Sequence, residues 1–102
     1  MRESKIEAYL VKRVKELGGE VRKVQFIGRC GAPDRLVMLP PVRTKINGVY
    51  EMCAAPKTLW VELKATGVAA EPHQIREHNR MRMMGQRVEV VDSFERVDEV
   101  LK

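Results

Sequence analysis

Aromatic residues are scarce in this chain. Two Phe, two Tyr and one Trp make up 5% of its 102 residues, and no platform for base stacking stands out. The scarcity does not imply disorder, because aliphatic residues and Met bring the hydrophobic content to 44%. Cysteine is rare too. Cys30 and Cys53 form no CxxC pair, which excludes a disulfide framework. The two histidines, His73 and His78, stand five residues apart, a spacing that turns them away from a shared helix face. A Cys2His2 zinc site is therefore not expected, and the thiols read as reduced packing residues. No apolar run approaches the roughly 20 residues of a membrane span. Met1-Arg2-Glu3-Ser4-Lys5 leads straight into an amphipathic segment, unlike a signal peptide. The expectation is an intracellular protein, without repeats or low-complexity segments.

What the chain has is positive charge. Nineteen Lys and Arg against fourteen Asp and Glu leave a net charge of +5. The excess gathers in Lys12, Arg13, Lys15, Arg22, Lys23, Arg29 and Arg35, and again in Arg76, Arg80, Arg82 and Arg87. Such a surface favours polyanions, because binding phosphate releases condensed counterions. A solvated basic face accounts for the charge equally well. The length is that of one domain with one core.

Hydrophobic spacing divides the chain. Ile6, Leu10, Val14 and Leu17 repeat at helical intervals, so 4–17 reads as a helix ended by Gly18-Gly19, with Ser4 and Glu7 in a capping-box pattern. Alternation over 20–27 predicts a strand. Gly28 to Pro33 is turn-rich, and 34–39 reads as a second strand that Pro40-Pro41 stops. Asn47-Gly48 signals a hairpin turn within 40–57. Residues 58–64 are rich in strand formers. Pro72 suits the first turn of a helix running to about Met84. Residues 87–91 predict a last strand, and Asp92 or Ser93 caps a last helix.

Chemistry concentrates in two places. On a strand, Glu62 and Lys64 share one face while Leu59, Val61 and Leu63 share the other, which suits a core. Alone, an acid and an amine so placed read as an exposed ion pair. Asp34 opens a strand after a glycine-containing loop, where backbone can approach a ligand closely; alone, it reads as a turn-forming Asp. If these strands are neighbours, Asp34 and Glu62 converge. Two converging carboxylates suit a hard cation such as Mg²⁺ or Mn²⁺, which polarises a phosphate and activates water. Lys64 then either orients or deprotonates that water, or neutralises charge on the phosphate.

Gly31-Ala32-Pro33-Asp34-Arg35-Leu36-Val37, followed by Trp60-Val61-Glu62-Leu63-Lys64-Ala65, resembles the PD-(D/E)XK nuclease superfamily. More narrowly it resembles the VRR-NUC family, the virus-type replication and repair nuclease domains. That family shows G-x-P-D, then a strand with E-x-K, then a helix with an early Gln, which Pro72-His73-Gln74 matches. Met84-Gly85-Gln86-Arg87-Val88-Glu89-Val90-Val91 is similar to the family's helix-to-strand joint. The resemblance covers nearly the whole chain, and its specificity lies in the order and spacing of motifs that are each weak alone.

The resemblance implies a single restriction-endonuclease-like α/β domain over residues 1–102. A central mixed β-sheet would be flanked by helices in the order α-β-β-β-α-β-α. It implies that Asp34 and Glu62 are metal ligands with the Leu63 carbonyl, that Lys64 is the catalytic lysine, and that Gln74 faces the site. Glu7 matches an acid that reaches a metal through water; its other reading is the capping partner of Ser4. The implied activity is Mg²⁺- or Mn²⁺-dependent hydrolysis of DNA by an endonuclease. Standalone members are expected to act as homodimers on branched DNA such as four-way (Holliday) junctions, in repair, and a virus or phage can encode them. Lys23, Arg29, Arg35, Arg76 and Arg80 are candidate phosphate contacts. No helix is rich in base-reading Asn, Gln and Arg, which favours recognition of DNA shape over sequence. One departure is the length of 40–57, a hairpin insertion that extends the DNA surface, contacts a second subunit or is tolerated on the surface. Rival readings are a non-catalytic nucleic-acid-binding module and a sequence-specific, flap- or end-dependent nuclease of the same superfamily.

Overall fold

The computed structural model describes residues 1–102. Helix α1 (Glu3–Glu16) leads into strands β1 (Glu20–Lys23) and β2 (Arg35–Leu39). A ribbon of β3 (Val42–Ile46) and β4 (Val49–Ala54) follows, then β5 (Lys57–Leu63). Helix α2 (Pro72–Met83), strand β6 (Val88–Val91) and helix α3 (Phe94–Val100) complete the chain. Four strands form one sheet in the order β1-β2-β5-β6. Its first two pairings are antiparallel and β5–β6 is parallel, so the sheet is mixed. The parallel step requires a crossover, and α2 provides it.

The core lies on one face of this sheet. Ile6, Leu10 and Val14, each a helical turn apart, are fully buried against Val37, Leu59, Val61, Leu63 and Val91, with Val97 and Val100 of α3 beside them. Burial of each such side chain contributes about 1.5–3 kcal/mol. The 2.0-residue alternation of β2 and β5 sends Arg35, Val37 and Leu39, and likewise Leu59, Val61 and Leu63, to this face. Glu62 and Trp60 are left on the other.

Two local expectations are corrected. Helix α1 begins at Glu3 behind an extended Arg2 with no side-chain cap, so Ser4 lies inside the first turn and Ser4–Glu7 is not a capping box. Strand β1 ends at Lys23 rather than continuing to residue 27. The Val24 amide still donates to the Asp34 carbonyl at 2.8 Å, and the next position on the partner is Pro33, which has no N–H with which to extend the ladder.

The β3–β4 ribbon is a separate two-stranded sheet, exposed along nearly its whole length. Asn47 and Gly48 both take positive φ (51° and 81°), the backbone of a type I′ turn that matches strand twist. Leu39 pairs with Lys57 at the ribbon's base, so β2 and β5 are themselves a hairpin whose connection is this ribbon. The chain measures 51 Å in its longest dimension against 20 Å in its shortest.

Candidate active site

The β2–β5 register sets Arg35 across from Val61. Continued by one residue, it sets Asp34 across from Glu62. Side chains opposed in this way have Cβ atoms about 5 Å apart. Both acids lie on the face away from α1, because Arg35, Val61 and Leu63 are buried on the other. Lys64 follows Leu63 with its amide donating to the Val91 carbonyl at 2.9 Å. It therefore continues the line of β5 and shares the face of Glu62. The convergence of Asp34, Glu62 and Lys64 is a property of strand pairing.

The two acids differ in environment. The Asp34 side chain is 51% exposed and the Glu62 side chain 13%. Burial pushes the Glu62 carboxyl up to about 7; the Lys64 ammonium opposes this, and the Asp34 and Glu3 carboxylates add to it. A carboxyl so desolvated beside another acid holds its proton more tightly than a free one. His78 of α2 lies against it, 1% exposed, with Nε2 3.6 Å from Glu62 Oε1. That nitrogen is buried without a hydrogen-bond partner. Burial holds the imidazole below its ordinary value, helped by the positive charges of Arg82 and Lys64.

The loop before Asp34 is fitted against α2. Gly31 has φ of +83°, and a Cβ there would lie 2.7 Å from the His73 carbonyl oxygen and 3.0 Å from the Gln74 Cα. The glycine of the G-x-P-D segment thus serves both a left-handed backbone and a close approach to the first turn of α2. Pro33 is buried behind it.

The donor set fits a magnesium-like cation. No cluster of three or more His, Cys, Asp or Glu side chains is present, so side chains offer two carboxylates and the remaining positions fall to backbone and water. Mg²⁺ keeps several waters and takes one or two carboxylates in such sites. The desolvated Glu62 carboxyl also suits a cation.

The remaining sequence-derived residues are placed as follows. Glu7 pairs with Arg35, whose Nη1 also lies 2.9 Å from Asp34 Oδ1. Arg35 is 8% exposed, which corrects its reading as a phosphate contact: it is a buried strut between α1 and Asp34. Gln74 Oε1 accepts the Glu71 amide at 2.9 Å, so this side chain caps its own helix. Arg29 and Arg80 both approach the buried Glu77 carboxylate, at 3.6 and 2.7 Å, while remaining half exposed. Arg76 is exposed. Lys23 and Arg29 join Asp34 in lining a groove of about 460 Å³, with Val24, Gln25 and Phe26. Phe26 packs on Trp60, ring centroids 5.3 Å apart, so an aromatic pair stands beside the acids. Sequence reading missed this pair, and it considered His78 only as a zinc ligand. The available signal was spacing: Gln74 and His78, four apart, share one face of α2.

A four-stranded mixed sheet with helices packed on it, and two acids and a lysine opposed across its central strands, defines the restriction-endonuclease-like fold of the PD-(D/E)XK class. No family model matches the chain. A protein named "Putative nuclease p44", from Acyrthosiphon pisum secondary endosymbiont phage 1, is 42% identical over 93 residues, which is 91% of this chain and 85% of that protein. A solved structure described as a VRR_NUC domain matches with a TM-score of 0.73 at 40% identity, covering 97% of this chain and 92% of that one. The chain belongs to the VRR-NUC nuclease family. No helix is long and apolar enough to cross a membrane.

Proposed function

We propose that this domain is a DNA endonuclease that hydrolyses phosphodiester bonds with Mg²⁺ or Mn²⁺ held by Asp34, Glu62 and the Leu63 carbonyl. The observation that carries the reading is the β2–β5 register, which continued by one residue opposes Asp34 to the desolvated Glu62, with Lys64 next along β5. A divalent cation bound there supplies charge that polarises the phosphate and activates water. Asp34 and Glu62 hold and orient it. Lys64 orients the attacking water or neutralises charge developing on the phosphate. Lys23 and Arg29 attract the DNA backbone along the groove that ends at Asp34. Arg76 and Arg80 extend that attraction along α2. Glu7 acts through Arg35, which steadies Asp34.

The substrate is branched DNA, such as a four-way junction, and the active form is a homodimer. Family membership and the small footprint of a 102-residue chain support this. So does the ribbon, which exposes Ile46 and Val49 on one face and Tyr50 and Met52 on the other by 48–67%, apolar area for a second copy to cover. A two-fold dimer presents two sites to two strands.

The test is cleavage of labelled linear duplex, flap and four-way junction with Mg²⁺, Mn²⁺ or EDTA, by wild type and Asp34→Ala. Metal-dependent paired nicks on the junction, lost in the variant, are expected. Binding without cutting under every metal condition, by folded protein, would reduce the domain to a nucleic-acid-binding module.

A further inference from the structure

Helix α2 contributes no ligand to the proposed cation site, yet it presses a buried imidazole against it. His78 is 1% exposed, and its Nε2 points at Glu62 Oε1 across 3.6 Å with no other partner. A buried polar nitrogen without a partner costs about 1–3 kcal/mol, so an apolar residue would suit this position better on stability alone. The Gly31 backbone lies beside the same ring. Gly31 in turn packs directly on His73 and Gln74 at the start of α2, three residues before Asp34. One side chain therefore touches β5 at Glu62 and the loop that delivers Asp34.

We propose that His78 is the positioning residue of the cation site: through Nε2 it fixes the orientation of the Glu62 carboxyl group. The gap exceeds hydrogen-bond distance by a few tenths of an ångström, and such contacts tighten when a site is loaded. Partners behind a ligand set its orientation, and losing one costs about 10- to 100-fold in metal affinity. The charged groups acting on this contact are Arg82, Lys64 and Glu77 on His78, and Lys64, Asp34, Glu3 and Arg35 on Glu62. None of them occupies the Nε2–Oε1 line as a hydrogen-bond partner of Nε2.

The inference rests on the metal-dependent reading of the site, and the experiment separates the two. Mn²⁺ alone is titrated calorimetrically into wild type, Asp34→Ala, His78→Leu and His78→Gln, and the metal-free thermal midpoint of each is recorded. Wild type binds Mn²⁺ and Asp34→Ala does not. His78→Leu retains or raises the metal-free midpoint but binds Mn²⁺ about 10- to 100-fold more weakly. His78→Gln, whose amide nitrogen reaches the position of Nε2, recovers most of the affinity. Wild-type Mn²⁺ affinity in His78→Leu would overturn the proposal while leaving the metal site intact. Equal losses of affinity in the Leu and Gln variants, each tracking a lower midpoint, would also overturn it by making His78 a packing residue. Failure of wild type to bind Mn²⁺ would overturn both readings.

Discussion

Glu7 of α1 and Arg35 of β2 form an ion pair on the helix-covered face of the sheet. Arg35 also touches Asp34, so one guanidinium connects the first helix to the first acid of the site. Glu7→Ala leaves the buried charge with one partner. The expected cost is about 1–3 kcal/mol, less than for a fully buried pair because the Glu7 side chain is 39% exposed. Urea unfolding checks this: the midpoint falls with an unchanged slope. An unshifted midpoint would mean that water replaces Glu7 at no cost.

Glu62 makes stability depend on pH. Its folded carboxyl is raised to about 7 from 4.5, first by burial. The native state therefore holds this proton more tightly than the unfolded chain. The resulting stability is complete below pH 4.5 and is lost as pH rises through about 7. Glu62→Gln removes the dependence. Without metal, the variant is expected to match wild type at pH 4 and to exceed it at pH 8 by at most about 3 kcal/mol, one pKa unit being worth about 1.4 kcal/mol. Denaturation curves at the two pH values measure the difference, and parallel pH profiles for both proteins would refute the assignment.

Gly31 is intolerant of any side chain. Gly31→Ala forces a left-handed φ on alanine and drives its Cβ into the His73 carbonyl. The combined cost is about 1–3 kcal/mol. Because the loop delivers Asp34, activity with Mg²⁺ should fall further than stability explains. Gly28→Ala has the same sign of φ but meets no atom within 4 Å, and is expected to lose stability with little loss of activity. Thermal midpoints and cleavage rates of the pair decide.

DNA affinity is expected to report the groove. In EDTA, Lys23→Ala and Arg76→Ala each lower the slope of log affinity against log salt by roughly 0.9 for a lost phosphate contact on duplex. Arg13→Ala serves as the control, because Arg13 is held by Glu16 and Asp98 between α1 and α3. Fluorescence anisotropy at several salt concentrations measures all three slopes. An Arg13 effect as large as that of Lys23 would move the DNA to another face.

The ribbon can be removed cleanly. Leu39 and Lys57 already pair, so replacing residues 40–56 with an Asn-Gly turn joins β2 to β5 as a tight hairpin. The core is expected to keep its circular dichroism spectrum, since no core residue lies in the deleted segment. Light scattering is expected to report a dimer for the full chain and a monomer for the shortened one. A shortened chain that still dimerises would release the ribbon from the subunit contact.

Much of the architecture was legible because its signals are local. The helical repeat of Ile6, Leu10 and Val14 and the alternation of Leu59, Val61 and Leu63 each name a buried face directly. Asn47-Gly48 named its turn through its tolerance of positive φ. The Ser4–Glu7 pattern misled, because a capping motif carries weight only if the helix begins there, and α1 begins before it. Arg35 misled for a different reason. Counted as a surface cation, it falls by strand alternation on the core face, where Glu7 receives it.

The sequence by itself determined which residues are chemically able to act: two acids, a lysine on the same strand face as one of them, and a glycine-bearing loop before the other. Periodicity and residue type are local properties, so no fold is needed to read them. Tertiary structure alone decided that β2 and β5 pair in the register that, continued by one residue, opposes Asp34 to Glu62. It alone removed Arg35 from the surface and brought His78, sixteen residues beyond Glu62, against that carboxyl. Register and helix placement are set by burial of the whole apolar face at once, and the side chains that meet on the opposite face are a consequence of that packing.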